Sequence, residues 1–182
     1  MSEAVAEPVP GTFPGARETP SDAFEALYRS TFSRVYGYVA SLLSDRTAAE
    51  EVTAQAFERA YRKRRSFRAS RGTQEAWLFG IARNAALDEL RRRKRRAALE
   101  VDPEDLEAPA PMEQAEAAIR RETVRAALAR IEPRERELVA LKFAGGLSND
   151  EIARVVGISA SNVGTRLHRT MEKLRKECDE DA

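Results

Sequence analysis

Residues 99–112 decide what this chain can become. The run Leu99-Glu100-Val101-Asp102-Pro103-Glu104-Asp105-Leu106-Glu107-Ala108-Pro109-Ala110-Pro111-Met112 combines three prolines with five acids. Each proline removes a backbone donor and clashes with the preceding turn, so the run neither continues a helix nor buries a core. A flexible acidic linker is therefore expected. On either side it leaves roughly 60 to 80 ordered residues, and a domain that small is only marginally stable by itself.

Both flanking segments have helical periodicity. Residues 1–20 hold Pro8, Pro10, Pro14 and Pro20 without an apolar repeat, which predicts a disordered leader. From Ser21 onward Phe24, Leu27, Tyr28, Phe32, Val35, Tyr36, Val39, Leu42 and Leu43 recur at spacings of three and four, the stripe of a long helix capped by Ser21 or Asp22. Thr47 with Glu50 predicts a capping box for a second helix, whose stripe is Val52, Ala56, Phe57 and Ala60. Ser66 to Gln74 is polar and reads as a loop. A third helix is predicted from about Glu75 to Arg96, with Trp77, Leu78, Ile81, Ala85 and Leu90 inward. Beyond the linker, Ile119, Val124, Ala127, Leu128 and Ile131 mark a helix that ends before Pro133. A further one carries Leu138, Val139 and Leu141 and stops at Gly145-Gly146. The expected fold is all-α: two small helical domains, 21–98 and 113–177, joined by the linker and followed by an acidic tail, 178–182.

Composition removes whole classes of function. No stretch approaches the roughly 18 apolar residues of a membrane span, and the N-terminus lacks the basic and apolar regions of a signal peptide, so a cytoplasmic protein without membrane insertion is expected. Cys178 and His168 are each the only residue of their kind, which leaves no disulfide framework and no Cys-based zinc cluster. No Gly-rich phosphate loop, metal-ligand cluster or nucleophile–base pair is legible, and neither an enzyme nor a cofactor is predicted. Charge is more telling. The net charge is +1, yet residues 61–96 carry 13 basic and 3 acidic side chains between two acidic segments. Such segregation reads as a polyanion-binding surface.

The stretch Leu147 to Leu174 carries the sharpest motif. Ser148 with Glu151 forms a predicted capping box, Ile152, Val155 and Val156 are apolar, and Gly157 ends the helix after two turns. Ser159 caps a second helix with Val163, Leu167, Met171 and Leu174 inward. Two short helices across a tight glycine turn make a helix-turn-helix, whose second helix enters the DNA major groove. Its outer face presents Asn162, Thr165, Arg166, His168 and Arg169, side chains that reach base edges or phosphates. A regulator that binds duplex DNA unaided would account for residues 147–175, but not for the basic third helix or the two-domain division.

The run Trp77-Leu78-Phe79-Gly80-Ile81-Ala82-Arg83-Asn84, continued by Asp88, Arg91 and Arg92, resembles the signature of the sigma-70 family of bacterial RNA polymerase sigma factors, in its small extracytoplasmic-function (ECF) group. Asp45 to Tyr61 resembles the polymerase-binding helix of region 2, and Leu128 to Arg175 resembles region 4. The resemblance spans about residues 21–177. It implies that region 2 binds core RNA polymerase through Asp45, Glu50, Glu51, Gln55 and Arg59. Region 2 would also read the −10 element as single-stranded DNA, with an unstacked base held near the Ser66–Gln74 loop. Asn84, Asp88, Arg91 and Arg92 would line the strand. Phe67 either contacts that base or caps the local core, whereas Trp77 lies on the inward stripe. Region 4 would read the −35 element as duplex through Asn162, Thr165, Arg166, His168 and Arg169. Gly164 departs from the basic residue the family often has there. The resemblance also implies an anti-sigma factor, with a helical segment laid between the two domains, which the flexible linker is expected to let sample several arrangements in the free chain.

Overall fold

The computed structural model describes residues 20–97 and 115–180; the leader before Pro20, the linker 99–112 and the last two tail positions lie outside these residues. Every described element is helical. The first unit comprises α1 (Pro20–Leu43), α2 (Arg46–Lys63) and α3 (Gln74–Ala97), with two 3₁₀ turns, Arg64–Ser66 and Ala69–Arg71, between α2 and α3. The second comprises α4 (Ala115–Arg130), α5 (Pro133–Phe143), α6 (Asn149–Val156) and α7 (Ala160–Glu180).

Two helix starts differ from the sequence reading. Helix α1 begins at Pro20, ahead of Ser21 and Asp22, because the fixed φ of proline suits a first turn whose N–H has no intrahelical partner. Helix α2 is capped by Asp45, whose carboxylate accepts from the Ala48 N–H at 3.0 Å. The Thr47–Glu50 capping box therefore does not form. Both residues lie inside the helix, and Glu50 pairs with Arg46 at 3.2 Å instead. Asp45 starts the helix two residues earlier and is fixed from outside by Arg93 Nη2 of α3 at 2.7 Å. The Ala48 hydrogen bond, aided by Arg93 and opposed by burial, holds its carboxyl below the usual carboxylate range. At the other end of the chain, α7 runs through the predicted tail to Glu180, and Cys178 packs beside Ala127, Ile131 and Leu174.

The three helices of the first unit close on Val35, Val39, Val52, Ala56, Leu78, Ala82 and Ala86, whose alanines are small enough to let packed helices lie close together. Thr53 sits in this seam at 1% exposure and its hydroxyl has no hydrogen-bond partner. Thr53→Val keeps the shape and removes the unpaired hydroxyl. It should raise stability by about 1 kcal/mol in equilibrium denaturation; a loss of stability would show that the hydroxyl is satisfied in solution.

The two units share one core. The apolar cluster runs without interruption from Val35, Tyr38 and Phe79 through Leu138, Leu141, Leu147 and Ile152 to Val163 and Leu167. Polar contacts fasten the seam. Arg83 of α3 donates through Nε to Glu137 Oε1 of α5 at 2.6 Å and through Nη2 to Oε2 at 3.3 Å. Tyr38 of α1 donates to the same carboxylate at 3.3 Å, and burial, then the Glu137 charge, push its phenol above the ordinary value, which keeps it a donor. Arg34 donates through Nε to the Gly145 carbonyl at 2.9 Å and pairs with Glu75 at 2.8 Å. Gly145 permits this approach. A Cβ there would lie 2.5 Å from the Leu141 carbonyl oxygen and 3.1 Å from Phe79 Cε1. The domains expected to sample several arrangements are closed on one another in this structure.

Candidate nucleic-acid interface

Helix α6 starts as the sequence predicts. Ser148 Oγ accepts from the Glu151 N–H at 3.3 Å, while Glu151 Oε2 accepts from the Ser148 N–H at 2.9 Å. Gly157 then turns the chain at φ 77° and ψ 34°, left-handed backbone that disfavours any residue with a Cβ. Ser159 Oγ accepts from the Asn162 N–H at 3.2 Å and opens α7. Val163, Leu167 and Leu174 are buried as predicted, and so is Thr170, a position missed because its polar side chain hides in the helix by donating to the Arg166 carbonyl at 2.8 Å.

The opposite face of α7 brings the predicted residues together. Asn162, Thr165, Arg166, His168 and Arg169 are all exposed. Arg166 Nε donates to Asn162 Oδ1 at 2.8 Å, which holds the guanidinium along the helix before any ligand arrives. His168 Nδ1 lies 3.7 Å from Glu172, an ion pair only when the imidazole is protonated. Gly164 packs toward α6, and a Cβ there would meet Asn149 Nδ2 at 3.4 Å. A small residue suits this crossing.

The first unit presents a different surface. A cavity of about 590 Å³ opens between the loop and α3, walled by Phe67, Trp77 and Ile81 and edged by Asn84. The Phe67 and Trp77 rings lie 5.7 Å apart and both are half-buried, so Phe67 packs on the local core and still faces the cavity. Asp88, Arg91 and Arg92 are exposed further along α3 and do not line it; Asp88 pairs with Arg91 at 3.0 Å and Arg92 pairs with Glu89. On α2, Glu50, Glu51, Gln55 and Arg59 are exposed, whereas Asp45 is engaged as the helix cap.

Sequence reasoning missed four cations at the cavity, Lys63, Arg68, Arg71 and Arg154. The first three belong to the basic run noted above, but Arg154 arrives from α6 of the other unit, which no local pattern announces. Thr73 Oγ1 donates to Glu151 Oε1 at 2.6 Å across the same junction. Burial pushes Glu151 up, but the Thr73 and Ser148 hydrogen bonds outweigh it and hold the carboxyl below its usual range.

A basic helical unit with an aromatic-walled cavity is thus packed on a helix-turn-helix. Residues 27–96 match the family described as Sigma-70 region 2, and residues 121–174 match Sigma-70, region 4. The ECF RNA polymerase sigma factor SigK of Mycobacterium tuberculosis (strain ATCC 25618 / H37Rv) is 30% identical over 165 residues, 86% of each chain. BldN of Streptomyces coelicolor, also an ECF RNA polymerase sigma factor, is 30% identical over 168 residues, which are 89% of this chain and 62% of BldN. The fold is similar to that of the sigma factor RpoE from Bartonella quintana, solved with the anti-sigma factor NepR (TM-score 0.74, 22% identity, 88% of this chain and 99% of that one). It is also similar to CnrH, solved with the cytosolic domain of CnrY (TM-score 0.66, 23% identity, 89% and 91%). The chain belongs to the sigma-70 family, as an RNA polymerase sigma factor of the ECF group. Among the described residues no helix is long and apolar enough to cross a membrane, and no group of three or more His, Cys, Asp or Glu could hold a metal.

Proposed function

We propose that this sigma factor brings core RNA polymerase to promoters by two readings made on separate surfaces, region 2 within 21–98 and region 4 within 113–177. The observation that carries this is the exposed row Asn162, Thr165, Arg166, His168 and Arg169 on the helix that follows the left-handed Gly157 turn. That row reads the −35 duplex in the major groove, with Arg166 bidentate to guanine and His168 at the phosphates. Phe67 and Asn84 take an unstacked base of the −10 strand, and Asp88, Arg91 and Arg92 follow the strand along α3. Glu50, Glu51, Gln55 and Arg59 dock on polymerase, with Asp45 positioning their helix. The protein works in the cytoplasm by binding rather than catalysis. An anti-sigma factor opposes it, a partner of the kind seen with RpoE, and gains avidity by engaging both units.

Run-off transcription with core polymerase tests the reading. The wild-type chain should direct initiation only when core is present, whereas a regulator that acts alone would bind the duplex specifically without it. Arg166→Ala should weaken −35 recognition by about 1–3 kcal/mol. Unchanged transcription from a −35-dependent promoter would remove Arg166 from the interface.

A further inference from the structure

We infer that the cavity between the 64–73 loop and α6 is a composite nucleotide site, completed by Arg154, which takes a free nucleoside phosphate while the two units are closed. The inference extends the proposed −10 reading to a ligand other than the promoter strand. Its volume, about 590 Å³, falls within the size of small-molecule sites, and it lies where such sites concentrate, at the junction of two packed units. One wall is aromatic: Phe67 and Trp77, with ring centroids 5.7 Å apart, line the cavity where a base would stack. The rim is cationic. Among the described residues no ion pair joins Lys63, Arg71 or Arg154 to a carboxylate, so their charge is uncompensated where a phosphate would sit. Asn84 supplies an amide for the base edge.

Arg154 is exposed, and its side chain passes over Gly72 at this rim. Its Cδ lies 3.2 Å from where a Cβ on Gly72 would stand, and Gly72, at φ 135°, is a loop position that a side chain would both strain and crowd. One turn earlier in α6, Glu151 is tied to the loop through Thr73 at 2.6 Å. The site thus draws its base wall from one unit and a phosphate ligand from the other. A bound nucleotide ties the units together and competes with the −10 strand for the same loop.

The chain has a single tryptophan, Trp77, so its emission reports on the cavity wall. ATP and GTP are titrated separately into the full chain without polymerase, with excitation beyond nucleotide absorption. Saturable quenching is expected, weakened about tenfold by Arg154→Ala as for loss of a charge-assisted phosphate contact, less by Arg154→Lys, and not by Lys176→Ala on the far part of α7. Inorganic triphosphate, which lacks a base, should bind more weakly than either nucleotide. The proposal is overturned by an absence of saturation at several millimolar, by equal affinity in wild type and Arg154→Ala, or by triphosphate matching the nucleotides. The strand reading is tested apart, by crosslinking −10 DNA to holoenzyme carrying Phe67→Ala. That result bears on the strand alone, because the quenching is read in the free chain.

Discussion

Glu137→Ala should part the two units. The Glu137 carboxylate accepts from Arg83 on α3 at 2.6 Å and from Tyr38 on α1 at 3.3 Å, so it is the polar centre of the seam. Its side chain is 11% exposed and that of Arg83 is 23% exposed. Removing one partner leaves a poorly solvated guanidinium and a buried phenol with nothing to receive their protons, at a cost of about 3 kcal/mol to the closed arrangement. The radius of gyration from small-angle scattering should rise, and Trp77 emission should shift to the red. Replacing both members by apolar residues, Arg83→Met with Glu137→Leu, should restore the compact profile, because the desolvation cost of the pair disappears with its attraction. Scattering from Glu137→Ala that matches wild type would show that apolar packing alone holds the units together.

Phe79→Ala should have the larger effect on stability. The ring is fully buried, lies 5.6 Å from the Tyr38 ring, carries the Arg34 guanidinium 5.9 Å from its centroid and meets the Gly145 turn. It therefore belongs to both units. Truncation leaves a cavity that neither can fill without moving the other, and losses of about 3–5 kcal/mol are usual for such a change. A domain of this size has about 5–15 kcal/mol in total, so the denaturant midpoint should fall steeply. A loss below about 1 kcal/mol would mean that the units had already separated around the ring in solution.

The elements and the helix-turn-helix were legible because each rests on neighbours in sequence. Stripes at three and four, the Ser148–Glu151 box and the Gly157 turn are all decided within a few residues. The misplaced start of α2 shows where local reasoning stops. Asp45 and Thr47 are both good caps, and the contact that favours Asp45 comes from Arg93, 48 positions away. The seam was illegible for the same reason. Glu137 on an amphipathic helix reads as a solvated face until Arg83, 54 positions earlier, is brought beneath it. The outward face of α7 required only the helix and its polar side, and all five predicted residues lie exposed there. The cavity needed two units at once, which is why Phe67 and Asn84 were found and Arg154 was not.

The shared core has a consequence for the order of events during synthesis. The surface of the first unit that carries Tyr38, Phe79 and Arg83 is covered by side chains from Glu137 to Leu167. A ribosome adds about 5–20 residues per second, so the roughly 70 residues from Ala97 to Leu167 take roughly 4 to 14 seconds. Until that stretch has been added, the full set of residues that covers the seam of region 2 does not yet exist. Each newborn chain passes once through an open form before it reaches the closed one, and a partner that needs region 2 open meets it then without having to pull the units apart.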